Sequence, residues 1–342
     1  MKTLRLIAML FIVSNLLFSC NNENELQPKQ QEQNNQESYA VSFNLGGEFI
    51  STSETPLNRA EITPKKIYGI NVYYRKDGDT YYSSYACGLF DNIQDMTISL
   101  ISGHKYKFEC TMVQNDIDTL YHNKKTYYAP FQQPSNKGTL LENKFNVSTT
   151  SYTNIEGLKS GKTNIENKNS SSYYPQTDRF YGELTDYVPA KDGVAKINLK
   201  RTAFGLKFII TPPTDGTLSV SQIIAYNSYM YPDIKVSADE SALTSSSMYT
   251  FYEVYKCWQM ESYAEDLTIQ LTWQRANGAT QTFEKVITAK RNVLTTINVN
   301  VNGSSTESSL GIKEDDTPME NENADMNFNG GDIDDNNTKP NV

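Results

Sequence analysis

The chain has 342 residues, a formal net charge of −9 and only two histidines. The acids are concentrated near the C-terminus, where ten lie between Glu307 and Asp335, and the rest of the chain is close to neutral. Because a nucleic-acid-binding surface needs clustered basic residues, this pattern argues against a nucleic-acid partner. A chain of this length is longer than a domain with a single hydrophobic core usually is, and it is long enough for two domains of ordinary size.

The N-terminal segment has the features of an export signal. Lys2 and Arg5 precede an apolar run over residues 6–18, and Ser19 and Cys20 follow it. A charged start, a short apolar run and a small residue before the cut are typical of a secretory signal, which is too short to span a bilayer. We therefore predict a signal peptide over residues 1–19.

Cys20 closes a segment, Leu17-Phe18-Ser19-Cys20, that resembles the lipobox of bacterial lipoproteins. There the cysteine is acylated before cleavage and becomes the first mature residue; the alternative is an ordinary signal in which Cys20 has no role. Residues 20–38 contain one aliphatic residue and bury too little apolar surface to offset the entropy of ordering. We predict a flexible tether there, with a lipid on Cys20 holding the chain to the cell outer membrane, exposed at the surface.

The body of the chain has a strand-like pattern. Short alternating or β-branched runs are separated by Gly, Asn, Asp and Pro, and no apolar helical period persists. These runs lie at residues 39–45, 67–74, 96–100, 106–113, 195–199, 204–210, 218–225, 267–273, 282–288 and 294–301. Such spacing favours an all-β protein built of antiparallel sandwiches.

We place two tandem sandwich domains at residues 39–190 and 191–303, with the boundary at the turn-forming residues Pro189 to Gly193. Residues 304–342 form a block of like charge without a period-two pattern. We predict a disordered acidic tail there, unable to act as a strand donated to another subunit.

Nothing in the sequence indicates a catalytic or metal site. The residues Cys87, Cys110 and Cys257 have no metal-ligand spacing, and we predict small buried apolar residues, with a Cys87–Cys110 disulfide as the alternative. His104 and His122 fall in expected loops, without a nucleophile or metal motif beside them. We therefore expect no enzymatic activity, no cofactor and no metal.

A series of short segments, in this order, is similar to the fimbrillin family of lipoprotein pilin subunits and adhesins. After the lipobox and tether, these segments are Val41-Ser42-Phe43-Asn44-Leu45, Thr55-Pro56-Leu57-Asn58-Arg59-Ala60, Ile67-Tyr68-Gly69-Ile70-Asn71-Val72-Tyr73, Gly88-Leu89-Phe90-Asp91-Asn92, Met96-Thr97-Ile98-Ser99-Leu100, Gly103-His104-Lys105-Tyr106-Lys107-Phe108, Phe180-Tyr181-Gly182-Glu183, Leu199-Lys200-Arg201-Thr202-Ala203-Phe204-Gly205 and Lys290-Arg291-Asn292-Val293-Leu294-Thr295-Thr296-Ile297. The resemblance implies two transthyretin-like sandwich domains and a role as a fimbrillin-like pilus subunit or surface adhesin.

The resemblance also implies a route of assembly. Related pilins are cut after an arginine that follows the first strand, and a neighbouring subunit fills the opened groove with its own strand. The corresponding cut here is between Arg59 and Ala60, and the displaced side chains are Val41, Phe43 and Leu45. The alternative is that Arg59 is a solvated loop residue and the first strand stays. Partners are then other pilus subunits, with a host protein or glycan as an adhesion target.

Tyrosine pairs suggest a second function. Tyr81 and Tyr82 are adjacent, so in a strand one of them faces outward, and exposed tyrosine rings can stack on sugars. The alternative function is therefore a carbohydrate-binding surface lipoprotein of a glycan-uptake system, with these two residues as contacts.

Overall fold

A computed structural model describes residues 37–48, 65–114, 120, 122–123, 125–147, 154–161, 176–224, 228–304 and 307–319. Cys20, the tether up to residue 36, Arg59, Ala60 and the chain beyond Met319 lie outside these residues. The described part is mainly strand, as the all-β prediction requires, with one α-helix, α1 (Val254–Gln259). Within the same residues, no helix has the length and apolar content needed to cross a membrane.

In the described part of the chain, eleven strands precede residue 202. They are β1 (Ser38–Gly47), β2 (Lys66–Lys76), β3 (Ser83–Phe90), β4 (Thr97–Ile101), β5 (His104–Gln114), β6 (His122–Asn123), β7 (Thr126–Gln133), β8 (Lys137–Leu140), β9 (Lys144–Val147), β10 (Asp178–Tyr187) and β11 (Val194–Arg201). Eight of them form one sheet in the order β4-β1-β11-β10-β5-β2-β3-β9, and β6, β7 and β8 form a small separate sheet.

The eight-stranded sheet folds over on itself at β11. β11 pairs with β1 along most of its length but with β10 only at Lys200 and Arg201. Phe43 of β1 and Phe108 of β5 are three strands apart in sheet order, about 14 Å in a flat sheet. Their ring centroids are nevertheless 5.1 Å apart. The two parts of the sheet therefore face each other, and the first apolar core lies between them.

The remaining strands form a second sandwich. They are β12 (Ala203–Ile210), β13 (Thr217–Ile224), β14 (Ser228–Ser237), β15 (Leu243–Thr250), β16 (Ala264–Gln274), β17 (Thr280–Lys290), β18 (Val293–Ser304) and β19 (Glu307–Pro318). One sheet has the order β15-β12-β18-β19 and the other β14-β13-β16-β17. From Leu267 to Trp273 every second residue of β16 is buried, because this face of the strand lines the second core.

The domain boundary differs from the prediction. β11 was expected to open the second domain, but it pairs with β1 and β10 and completes the first sandwich. The residues around Asp192 and Gly193 are a turn between β10 and β11, and Asp192 has φ +54°. A turn inside a sheet uses the same residue types as a linker, so these residues do not separate β11 from the first sandwich.

The predicted acidic tail is wrong for residues 307–318. They form β19, which pairs antiparallel with the whole of β18. Main-chain hydrogen bonds make this pair, and they do not depend on an apolar side-chain pattern, so the charged sequence did not reveal the strand. Because residues 307–318 form a strand, their charged sequence is no longer a reason to exclude them as a strand donated to another subunit.

A third apolar cluster covers the outer face of the first sheet. Its buried members are Ile67, Cys87, Leu89, Val113, Leu120, Phe131, Ile155, Leu158, Tyr181 and Val254. These come from β2, β3, β5, β7, β10 and α1, from residue 120 and from residues 154–161. We call residues 154–161 the strap. Because α1 follows β15, this cluster packs part of the second sandwich against the first.

Candidate functional site

β1 is an internal strand of the eight-stranded sheet, between β4 and β11. It pairs antiparallel with β4 over Ser38 to Ser42 and parallel with β11 over Ser42 to Gly47. Just before β1, the carbonyl of Glu37 accepts a hydrogen bond from the main-chain N–H of Ser102 at 2.7 Å. Because both sides of β1 are paired, its removal would leave unpaired main-chain groups on two strands.

The three residues predicted to face one side of β1 all point into the first core. Val41, Phe43 and Leu45 are 0%, 7% and 6% exposed, whereas Ser42 and Asn44 between them are exposed. The Phe43 ring lies within 5.1 to 5.6 Å of two phenylalanine rings of the core. Replacing a large buried side chain of this kind by alanine lowers the free energy of unfolding by about 2–5 kcal/mol. The side chains of β1 are therefore a main contribution to the stability of the first sandwich.

β1 ends in a close approach to β11. Gly47 has φ +111°, and a Cβ on it would lie 2.1 Å from the carbonyl oxygen of Leu199. Only glycine combines this conformation with so close a backbone contact. The next residue, Glu48, donates its N–H to the same Leu199 oxygen at 2.9 Å.

The Glu48 carboxylate joins β1 to both sandwiches. Nη1 of Arg291, in the turn between β17 and β18, donates to Oε1 at 2.9 Å and to Oε2 at 2.7 Å. The main-chain N–H of Arg201, at the end of β11, donates to Oε2 at 2.7 Å. Nη2 of Arg291 donates to Glu261 at 2.6 Å, and Glu261 also contacts Lys200. Carboxylate–guanidinium hydrogen bonds of this kind are among the stronger polar contacts in proteins.

Arg201 is fixed by groups other than Glu48. Its Nε and Nη2 donate to the two oxygens of Asp178 at 2.8 and 3.1 Å, and its Nη1 donates to Asn292 at 2.9 Å. Asp178 and Arg201 are both buried. The guanidinium is therefore engaged on three nitrogens, and Arg201 cannot turn toward Glu48 without breaking these contacts.

The strap is held on the outer face of the first sheet by a buried arginine. Arg179 is 1% exposed, and its guanidinium donates to the carbonyl oxygens of Gly157, Leu158 and Ser160 at 2.6 to 2.7 Å. Burial lowers the pKa of Arg179 to about 9, so the group is still charged at neutral pH. Asn71 adds two hydrogen bonds to the main chain of the strap, both at 2.9 Å.

Two glutamates face each other beside the strap. Glu109 of β5 and Glu183 of β10 are directly opposite in the antiparallel pair. Lys107 and Lys159 each contact both carboxylates at 2.5 to 3.2 Å, which offsets the repulsion of the like charges. Burial alone would raise the pKa of Glu109, but the hydrogen bonds and charge of the two lysines outweigh burial and lower it.

This cluster predicts an acid-dependent loss of stability. Since the folded pKa of Glu109 lies below the ordinary value of about 4.3, its contribution is complete above that value and is lost as the pH falls through the folded pKa. We expect the Glu109→Gln chain to lose less unfolding free energy than the native chain between pH 6 and pH 3. Denaturant titrations across this range measure the difference. Glu142→Gln, on an exposed carboxylate paired with Lys144, is the matched control, and an unchanged slope in Glu109→Gln contradicts the assignment.

Tyr81 and Tyr82 have different environments. Tyr81 is 81% exposed. Tyr82 donates to Asp186 at 2.9 Å, and the guanidinium of Arg75 lies 5.0 Å from its ring. Of the two residues, Tyr81 is the one whose ring is free to meet a ligand.

The three cysteines that the structure describes are free and buried, as expected. Burial raises the pKa of the Cys87 thiol to about 11, and it raises the pKa of Cys110 and Cys257 as well. His104, expected in a loop, is instead the first residue of β5. It is 6% exposed, and its ring packs beside Tyr74 of β2. Among the described residues, no group of three or more His, Cys, Asp or Glu is arranged to hold a metal.

The structure therefore brings Val41, Phe43 and Leu45 together, and leaves Tyr81 apart from them on the surface. Cys20, Arg59 and Ala60 lie outside the described residues. Sequence reasoning missed Glu48 and its partner Arg291, which are 243 positions apart. Arg201 and Arg291 both lie in segments already quoted for the family resemblance, and that is the signal that could have singled them out.

No protein-family model and no curated protein sequence matches the chain. Among solved structures, it is similar to a candidate cell adhesion protein from Bacteroides eggerthii, with 10% identity, 82% of this chain and 96% of that chain covered, and a TM-score of 0.40. It is also similar to the fimbrial anchor protein Mfa2 from Porphyromonas gingivalis, with 13% identity, coverage of 82% and 99%, and a TM-score of 0.34. A third similarity is to the tip fimbrial protein Mfa3 from the same organism, with 10% identity, coverage of 82% and 100%, and a TM-score of 0.33.

Proposed function

We propose that this chain is a surface lipoprotein of the fimbrillin type, a pilus subunit or adhesin without enzymatic activity, in which β1 is a replaceable strand. The lipid on Cys20 holds the precursor at the outer membrane, and the tether keeps the two sandwiches clear of it. Other subunits of the same assembly are the main protein partners.

The position of β1 carries this proposal. β1 is an internal strand of the first sheet and its apolar side chains fill the first core. Residues 48–65 connect it to β2, and the predicted cut lies within them. A cut at Arg59 would leave β1 held only by non-covalent contacts. Its departure would expose an apolar groove between β4 and β11, whose main-chain groups an incoming strand satisfies by strand addition.

The adhesion target is the second part of the proposal. A host protein or a glycan can meet the exposed ring of Tyr81, since aromatic rings stack on sugar faces. If carbohydrate binding is the main function, Tyr81 is the contact residue of the two. The hydroxyl of Tyr82 is bonded to Asp186, and its ring is covered by Arg75.

Cleavage at Arg59 tests the assembly mechanism. The chain beginning at Asn21 is treated with an arginine-specific protease, beside an Arg59→Gln control, and cleavage is followed by mass spectrometry. We expect SDS-resistant ladders in unboiled samples and filaments by electron microscopy from the native chain alone. Complete cleavage after Arg59, with β1 released and no polymer formed, would overturn the mechanism.

A further inference from the structure

The groove of β1 extends beyond its apolar part into a polar end at Glu48. We propose that this end selects the incoming strand: a strand that replaces β1 must carry a glycine at the place of Gly47 and a carboxylate at the place of Glu48. This inference rests on the proposed function and adds to it the chemistry of the partner strand.

The first step concerns Arg291, whose side chain is 6% exposed. Its guanidinium has two carboxylate partners, Glu48 and Glu261, whose side chains are 26% and 68% exposed. When β1 leaves, Arg291 loses Glu48, the less exposed of the two carboxylates, and the two hydrogen bonds to it. It keeps Glu261, whose side chain is mostly exposed to water. A buried charge that loses its enclosed partner is costly, so the vacated position favours an anion.

The second step concerns the main chain of β11. The N–H of Arg201 donates to the Glu48 carboxylate at 2.7 Å. The guanidinium of Arg201 adds no donor at this position, because it is held by Asp178 and Asn292. An incoming strand without a carboxylate here leaves this donor unpaired at a partly buried place. The two donors, Arg291 Nη1 and Arg201 N, therefore converge on one anion position.

The third step concerns the approach to that position. The residue before Glu48 passes so close to Leu199 that a Cβ would lie 2.1 Å from its carbonyl oxygen, and φ is +111°. A side chain there would push the strand away from β11 and the carboxylate away from its donors. The complete pattern for the partner is thus three apolar residues at alternate positions, matching Val41, Phe43 and Leu45, followed by the glycine and the acid.

Competition between peptides measures the selection. The full chain from Asn21, cut after Arg59, is equilibrated with a fluorescent peptide of residues 37–48, and unlabelled variants of this peptide compete for the groove. We expect Glu48→Gln to compete about 10- to 100-fold less well than the native peptide, as the loss of a charged hydrogen-bond partner predicts. Gly47→Ala should also compete at least about 10-fold less well. Glu37→Gln removes an exposed acid at the other end of the same peptide and should compete like the native sequence.

A variant of the chain completes the test. In Arg291→Gln, the difference between the native and Glu48→Gln peptides should shrink by about 10-fold, because the charged partner of Glu48 is gone. Arg291→Lys replaces it if the glutamine variant does not fold, and there the difference should shrink less, because an ammonium keeps the charge but lacks the guanidinium's paired donors. Equal competition by the native and Glu48→Gln peptides in the native chain contradicts the selection and leaves strand replacement intact. Failure of the native peptide to enter the groove at all contradicts the proposed function itself.

Discussion

Cysteines introduced at Ala40 and Ser99 are expected to stop assembly completely when they are oxidised. The two positions are direct partners in the antiparallel pair of β1 and β4, and both are exposed. Directly opposite residues have Cα atoms about 4.5–5.5 Å apart, within the range that a disulfide spans. The bridge would tie β1 to β4, so that cleavage at Arg59 no longer frees the strand.

The test compares oxidised and reduced protein after cleavage. We expect no filaments or SDS-resistant ladders from the oxidised double variant, and recovery of both on reduction. Ala40→Cys with Thr97→Cys is the matched control, because Thr97 faces Ser42 rather than Ala40. The thiols of Cys87, Cys110 and Cys257 are buried, and their raised pKa values keep them from competing in exchange. Undiminished assembly by the oxidised variant would show that β1 need not leave.

The second large effect is expected from Arg179→Met. This substitution keeps an unbranched apolar stem but removes the donors to the carbonyl oxygens of Gly157, Leu158 and Ser160. Buried acceptors left without donors cost about 1–3 kcal/mol each, with partial relaxation of the strap. We expect a loss of about 3–5 kcal/mol in the free energy of unfolding, together with faster proteolysis within the strap.

Denaturant titration measures this loss, and Arg75→Met is the control. Arg75 forms a surface ion pair with Asp186 at 2.7 Å, and such pairs contribute about 0–1 kcal/mol. Arg179→Lys should fall between the native chain and Arg179→Met, because an ammonium keeps the charge but reaches fewer of the three oxygens. If Arg179→Met loses no more stability than Arg75→Met, the strap is not held by this residue.

Local patterns sufficed for much of the fold. The alternation in β1 correctly placed Val41, Phe43 and Leu45 on the buried face, because a strand has a side-chain period of two. The turn at Asp192 was mistaken for a domain linker, since turns and linkers use the same residues. β19 was missed because it is an edge strand with a charged sequence, and pairing through the main chain leaves little trace in composition.

The polar part of the candidate site could not be predicted from the sequence. Glu48 and Arg291 meet only because β1 ends beside the turn between β17 and β18, which depends on how the two sandwiches pack. Arg179 gave no local signal either, because its partners are main-chain carbonyl oxygens of the strap, and any residue type supplies such groups. Long-range contacts of this kind follow from tertiary packing, which a local residue pattern does not contain.

The terminus of the mature protein tests the central claim most directly. Protein recovered from assembled surface structures of the native cell is sequenced from its N-terminus. If β1 is a replaceable strand removed by cleavage, the assembled chain begins at Ala60, and residues 20–59 are absent. An assembled chain that still begins at lipidated Cys20, with β1 attached, would contradict the account.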